Sequence, residues 1–365
     1  MKNLIIFFPS FERGGAENIL INLVNSFGDG KLYIHLITNC SKKIFYKSEN
    51  LRIYNFEKKK IKFINNRITS SFSASFVLIK LLFKLKNSDT KILSMQSNFL
   101  SVIIAFFLNY KVAIRVSEDP CGATKFANNK FFAFLIMLSK ILTYNLATKI
   151  ICNGSKSKDC LKKMTINKSK VKILFNPYLQ KINKFKIKKK KNIFLNIGRL
   201  CKQKNQICLI NAFYLFNKMN DSYSLIICGD GPDKNKLKKL TLNLNLKKKV
   251  LFVNWKKNLE KIYFESKFFV LPSLYEGMPN VIIDSINYNL PSICSDASGI
   301  DDLLLKGKGG EIIKNIDHVK LYKKMIHSEN NYKKILNKTK LSKKHLNKYL
   351  IFQASGKFKH FLRNI

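Results

Sequence analysis

Carboxylates are scarce in this sequence: 22 Asp and Glu stand against 67 Lys and Arg, leaving a formal net charge of +45 over 365 residues. That imbalance points toward anionic partners, either nucleic acid or a lipid surface. The basic residues are spread along the chain, and Lys, Asn, Ile and Phe are abundant together, as in an AT-rich coding sequence, so charge alone does not favour nucleic acid. No C-x-x-C pair occurs among the eight cysteines. Cys152, Cys228 and Cys294 sit inside apolar runs where a thiol packs as a small hydrophobe, and all eight read as reduced thiols of a cytoplasmic protein. No apolar run reaches the roughly 20 residues of a spanning helix. The most membrane-like stretches, 99–108 and 131–138, fall short, which excludes a transmembrane segment. The opening run 4–8 is too short for a signal peptide and ends at Pro9 without a small-residue cleavage pattern, so it reads as a first buried strand. No D-x-D triplet occurs either, which argues against a bridging Mg²⁺ or Mn²⁺.

The chain does contain short apolar runs that alternate with helix-length segments, the pattern of β-α units around parallel sheets buried on both faces. The runs fall at 4–8, 32–38, 91–95, 112–116 and 149–152, then at 193–197, 224–228, 250–253, 268–271 and around Cys294. Length and pattern together predict an α/β protein of two doubly wound, Rossmann-like domains. A Lys-rich stretch after Asn176-Pro177 sets the boundaries: an N-terminal domain over 1–180, a linker over 181–191 and a C-terminal domain over 192–345. A last helix over about 346–365, carrying Phe352, Phe358 and Phe361, is expected to pack back on the first domain. Ligands of such sheets sit outside the carboxyl ends of the strands, and the motifs follow strands.

Gly14-Gly15-Ala16-Glu17 follows the first strand and opens a helix, where glycines let backbone N–H groups approach an anion. No G-x-G-x-x-G accompanies it. The run 193–197 leads into Gly198-Arg199-Leu200-Cys201-Lys202-Gln203-Lys204-Asn205, which puts two cations at a strand end. Arg199 and Lys204 there can clamp a diphosphate and neutralise the charge that grows on it as a bond to it breaks. Gly229-Asp230-Gly231-Pro232 supplies a tight turn. The richest segment runs through Glu276-Gly277-Met278-Pro279-Asn280 to Asp284: a strand stops at Pro272, a loop follows, and helical spacing begins after Asn280. Glu276 on the loop and Asp284 about two turns into the helix can address hydroxyls, and the helix N-terminus between them can address phosphate.

Taken in this order along nearly the whole chain, these residues resemble the retaining nucleotide-sugar glycosyltransferases of family 4, which have the GT-B fold with two Rossmann-like domains facing across a cleft. The resemblance implies that Arg199 and Lys204 bind the donor diphosphate. It further implies that Glu276 and the backbone of Gly277, Met278, Pro279 and Asn280 hold the donor sugar, that Asp284 holds the ribose, and that Gly14, Gly15 and Gly198 line the donor site. Residues 250–255 take the place of the loop that flanks the base. Three positions depart from the family pattern: Asp284 stands where Glu is usual, Asn254 where Gly often precedes the aromatic, and Arg115-Val116-Ser117-Glu118-Asp119-Pro120 lacks a histidine many members carry. Arg115, Ser117 and Glu118 are the acceptor-side candidates. The implied reaction moves a hexose or N-acetylhexosamine from a nucleoside diphosphate sugar to a glycan or lipid-linked acceptor with retention of configuration and without a metal or other cofactor. The implied protein is cytoplasmic, peripheral on the inner face of a membrane, with segment 126–140 resting on anionic lipid. Two other readings stay open on the residues: a sugar-nucleotide epimerase, and a basic nucleic-acid-binding or scaffold protein.

Overall fold

The computed structural model describes residues 1–11, 14–27, 32–40, 44–45, 49–56, 66–86, 88–184, 190–255 and 259–365. They form two compact units. The first comprises Met1–Gln180 with Lys348–Ile365, and the second Lys181–Asn347.

In the first unit the chain runs β1 (Asn3–Phe7), α1 (Gly15–Phe27), β2 (Tyr33–Ile37), β3 (Leu51–Tyr54), α2 (Asn66–Lys84), β4 (Thr90–Ser94), α3 (Asn98–Phe107) and β5 (Lys111–Val116). It continues through α4 (Pro120–Lys125), α5 (Lys130–Leu146), β6 (Lys149–Cys152), α6 (Ser155–Met164) and β7 (Val171–Ile173). The seven strands pair in parallel in the order β3-β2-β1-β4-β5-β6-β7. Every residue of β1 and β4 is buried, as in strands covered on both faces; β1 is apolar after Asn3, whereas β4 buries Thr90, Lys91 and Ser94 beside Ile92 and Leu93. Strand parity divides the core. Ile5 and Phe7 face a cluster with α2, α3, α5 and α6, whereas Leu4 and Ile6 face α1 on the other side.

The second unit holds β8 (Ile193–Ile197), α7 (Gln206–Met219), β9 (Ser224–Cys228), α8 (Lys234–Asn243), β10 (Val250–Val253), α9 (Glu260–Glu265), β11 (Phe268–Leu271) and α10 (Asn280–Asn287). After these come β12 (Ser292–Ser295), α11 (Ile300–Leu303), β13 (Glu311–Ile313), α12 (His318–Asn330) and α13 (Tyr332–Lys343). Its sheet is also parallel, in the order β10-β9-β8-β11-β12-β13. Phe194 stacks on Phe268 and Tyr223 at the centre of its core.

The chain then returns to the first unit. The amides of Tyr178 and Leu179 donate to the Tyr349 carbonyl, and α14 (Ile351–Arg363) lays Phe358 and Leu362 into the α1 side of the first core. Phe361 packs against that cluster, while Phe352 stays exposed. Residues 185–189 of the expected linker lie outside the described residues. Lys190 and Lys191 bind the second unit: the Lys190 amine donates to the Phe264 carbonyl at 2.8 Å and the Lys191 amide to that of Glu265 at 2.8 Å. Burial lowers the Lys190 amine to about 8.

One expectation needs correcting. Cys121 and Cys160 are joined in a disulfide, so the eight cysteines are not all free thiols. The two are 39 residues apart, and it is the packing of α4 on α6 that brings them together, a proximity that no local spacing encodes.

Candidate active site

The strand ends of the second unit form a site from three loops. After β8 the backbone turns at Gly198, whose amide donates to the Cys228 carbonyl at 3.0 Å, and the Leu200 amide donates to Asp230 at 2.9 Å. The Gly229-Asp230-Gly231 turn lies directly on this segment. A Cβ on Gly229, which has φ +154°, would fall 1.9 Å from the Gly198 carbonyl oxygen, and one on Gly231 would fall 2.3 Å from that of Leu200. Two backbones touch here, and only glycine permits the contact.

Lys204 then folds back beside Gly198 and its amine donates to Glu276 Oε1 at 2.5 Å. The Lys204 side chain is 16% exposed and that of Glu276 7%, so this is a nearly buried, charge-assisted pair joining the loop after β8 to the loop after β11. Neutral bonds hold the same two loops in register. The Leu274 amide donates to the Gln203 carbonyl at 2.8 Å, the Gln203 side chain to the Tyr275 carbonyl at 2.9 Å, and the Asn205 side chain to the Pro272 carbonyl at 3.2 Å. Asn205 itself sits in the left-handed region, which lets α7 start immediately after the turn. Arg199 is exposed, its carbonyl accepting from the Gln206 side chain at 3.1 Å. Among the described residues no hydrogen bond or ion pair holds its guanidinium.

Beyond Glu276, Gly277, Met278 and Pro279 are buried and lead into the N-terminus of α10, with Pro279 in the cap position and Asn280 at the first helical turn. A third loop fixes this entry. Gly299, at φ +75°, presses its backbone on Gly277, where a Cβ would come within 2.1 Å of the carbonyl oxygen, and the Ser295 hydroxyl donates to Ser273 at 2.6 Å. Asp284 lies half-buried on α10, one turn before Tyr288, whose phenol it helps to push up, although burial is the larger cause. Of the residues after β10, Trp255 is exposed and Asn254 accepts from the Lys234 amine at 2.7 Å. Residues 256–258 lie outside the described residues.

The remaining candidates belong to the first unit. Gly15 is the first residue of α1, and a Cβ on Gly14 would meet the buried Glu17 carboxylate at 2.9 Å, so the opening of this helix already faces an anion of the chain itself. Arg115, at the end of β5, is fully buried. Its guanidinium donates to the Ser117 hydroxyl at 2.7 Å and to the Asn176 side chain at 2.7 Å, Nε has no partner, and burial lowers it to about 10. Ser117 and Glu118 are exposed, with Glu118 3.9 Å from the Lys140 amine. Among the described residues one trio brings ligand atoms of metal-binding types together, Asp119 with Cys121 and Cys160, and its two sulfurs are bonded to each other.

Sequence reasoning quoted Gln203 and Asn205 in the run after β8 without giving them a role, and did not include Ser295 or Gly299. Their partners lie 22 to 72 residues away, so no local spacing could mark them.

Residues 179–344 match the family described as Glycosyl transferases group 1. A Campylobacter jejuni protein is 27% identical over 348 residues, covering 93% of each chain. Its name is GalNAc-alpha-(1->4)-GalNAc-alpha-(1->3)-diNAcBac-PP-undecaprenol alpha-1,4-N-acetyl-D-galactosaminyltransferase. A second protein of that organism, an N-acetylgalactosamine-N,N'-diacetylbacillosaminyl-diphospho-undecaprenol 4-alpha-N-acetylgalactosaminyltransferase, is 26% identical, covering 98% of this chain and 99% of its own. The structure of Anabaena HepE with UDP and glucose superposes with a TM-score of 0.80 at 13% identity, covering both chains completely. The architecture is therefore GT-B, and, with a group 1 domain over residues 179–344 and relatives of this kind along its length, the chain is a glycosyltransferase.

Proposed function

We propose that the chain is a retaining transferase of the family 4 type that moves an N-acetylhexosamine or hexose from a uridine diphosphate sugar to a glycan carried on a polyprenyl diphosphate. The observation that carries this reading is the Lys204–Glu276 pair at 2.5 Å, at the carboxyl ends of β8 and β11, with the exposed Arg199 on the same loop as Lys204. In this reading Glu276 and the Gly277–Asn280 backbone hold the sugar hydroxyls, and Asp284 holds the ribose. Arg199 and Lys204 face the diphosphate. Gly198 leaves room for the backbone to approach the donor, and Ser117 and Glu118 of the first unit are the acceptor-side residues. Arg115 acts as a brace beneath them, because its guanidinium is fully committed to the interior.

The bond between the anomeric carbon and the diphosphate oxygen breaks with its electron pair going to the diphosphate. The acceptor hydroxyl oxygen bonds to the same face of the carbon, and its proton passes to a departing phosphate oxygen. Negative charge on the leaving group grows through this step, so a permanently charged guanidinium stabilises the transition state more than the ground state. These two cations do the work that a bridging metal would do, and no cofactor is invoked. The acceptor and donor classes follow the names of the relatives and the ligand of HepE. Nucleotide sugars place the reaction on the cytoplasmic side, at the surface of the membrane that carries the acceptor.

The test is transfer from a panel of uridine diphosphate sugars to a synthetic polyprenyl diphosphate glycan, with product anomers read by NMR. The wild type is expected to give the donor's own anomeric configuration, and Arg199→Ala to lower kcat/KM about 100-fold. Inverted product removes the retaining assignment. An unchanged Arg199→Ala rate removes the clamp.

A further inference from the structure

We infer that the groove between α14 and the β6–β7 edge of the first unit is a docking site for a partner protein, which it takes as an acidic amphipathic helix. Strand parity accounts for the open groove. Ile150, Cys152 and Val171 turn to the core face on which α6 packs, so Lys149 and Lys172 turn to the other face with Ile151 and Leu174. There α14 packs on α1 and lays Phe358 and Leu362 inward, and its outer flank borders β6 and β7 across a groove of about 650 Å³. Lys149, Lys172 and Leu174 form the sheet wall, and the helix wall runs from Phe352 through Lys357 and His360 to Asn364. At about 1.5 Å per residue that wall is about 18 Å long, roughly three turns of helix.

The chemistry of the groove selects the occupant. Its floor is mainly apolar, three lysines rim it, and among the described residues no Asp or Glu lines it; α14, β6 and β7 contain none. Phe352 is 89% exposed at one end. Gly356 sits in the middle of α14, where glycine is disfavoured, and a Cβ on it would meet nothing within 4 Å. No close neighbour within the chain demands a glycine there, and what it leaves is a bare stretch of helix that a second backbone can approach. Sheets of this kind carry a layer of helices on each face, neighbours lying about 8–10 Å apart, and the groove is the next position in the layer that holds α1 and α14. A helix with apolar residues at i, i+3, i+4 and i+7 and carboxylates beside them fills that position and meets the lysines. A second copy of the chain would set formal charge +45 against +45. A bilayer is too flat to enter a groove, and a nucleic-acid strand would find one fully exposed ring to stack on, where binders of single strands offer several. The surface lies apart from the residues assigned to transfer and does not rest on that reading.

The probe is a labelled synthetic peptide of about four helical turns with leucines at that spacing and glutamates elsewhere. The full chain is titrated into it and read by fluorescence anisotropy at about 0.15 M salt, where charges are screened beyond roughly 8 Å. Wild type is expected to bind it about tenfold more tightly than a scrambled peptide of the same composition and charge. Lys172→Glu with Lys357→Glu, both at exposed positions, should weaken binding about tenfold, whereas Lys247→Glu with Lys248→Glu, exposed in the second unit, should change it less than about twofold. Gly356→Leu fills the groove with a stronger helix former, so it should weaken binding about tenfold without lowering the melting temperature. The inference is overturned if the scrambled peptide binds equally well, if the groove variants bind like wild type, or if the second-unit pair weakens binding as much as the groove pair. It is also overturned if a single-stranded oligonucleotide binds more tightly than the peptide and loses that affinity in the same groove variants.

Discussion

Among the described residues every exposed phenylalanine lies in the first unit, whereas the second unit exposes only scattered side chains such as Met219, Leu242 and Trp255. The buried charges differ in a parallel way. In the second unit Lys204 meets a carboxylate, Glu276, across two loops; in the first, Arg115 is held by a hydroxyl and an amide, with no ion pair among the described residues. Removing one member of an ion pair strands the other charge in a poorly solvated place, while removing a cation held by neutral acceptors strands only dipoles. The second unit therefore concentrates its energetic stakes at its strand ends, and the first spreads an apolar surplus over a helix layer.

The sharpest way to break this contrast is at the pair. Glu276→Gln is expected to lower kcat/KM for transfer at least 100-fold and to cost about 3 kcal/mol of stability, read from denaturant curves. Arg115→Met should cost less stability than that; a larger loss would invert the ranking of the two buried cations.

Next come the glycines. Gly299→Ala and Gly229→Ala each place a Cβ against a carbonyl oxygen at 2.1 and 1.9 Å in a backbone conformation that L residues rarely adopt, and each is expected to cost about 2 kcal/mol or more with a large rise in donor KM. Gly14→Ala in the first unit meets only the movable end of Glu17, so its melting temperature should stay within a few degrees of wild type.

An effect that appears only on acidification belongs to the first unit. His35 in β2 is buried between the Asn3 side chain and the Tyr54 hydroxyl, and burial first, then Arg52 and Lys84, lower it to about 4 from 6.5. Its folded pKa lies below its unfolded one, so the unfolded chain binds the extra proton. The stabilisation is complete above about pH 6.5 and is lost as pH falls toward 4, at most about 3 kcal/mol. A His35→Asn variant should lose that part of the acid dependence, and identical pH profiles for the two proteins would refute it.

Strands buried on both faces were legible in the sequence, because predominantly apolar runs such as those of β1, β8 and β11 are what such a position requires. The strands that escaped notice are β3, β7 and β13, all short, all at sheet edges and all partly exposed, so their residues carry no unbroken apolar signal. Segment 126–140, most of it in helix α5, was legible as an apolar stretch suited to a lipid surface, but hydropathy does not say which side of the helix faces the core.

The sequence by itself determined the alternating β-α order, the two glycine turns and the placement of Arg199, Lys204 and Glu276 just after strands, because each depends on neighbours within a few residues. Only the tertiary structure decided that Lys204 and Glu276 meet across 72 residues, that Gly299 locks the entry to α10, that Cys121 finds Cys160 and that Arg115 points inward. Those contacts are set by which strands lie side by side and how helices pack on them, and that information belongs to the whole sheet and to no single segment of it.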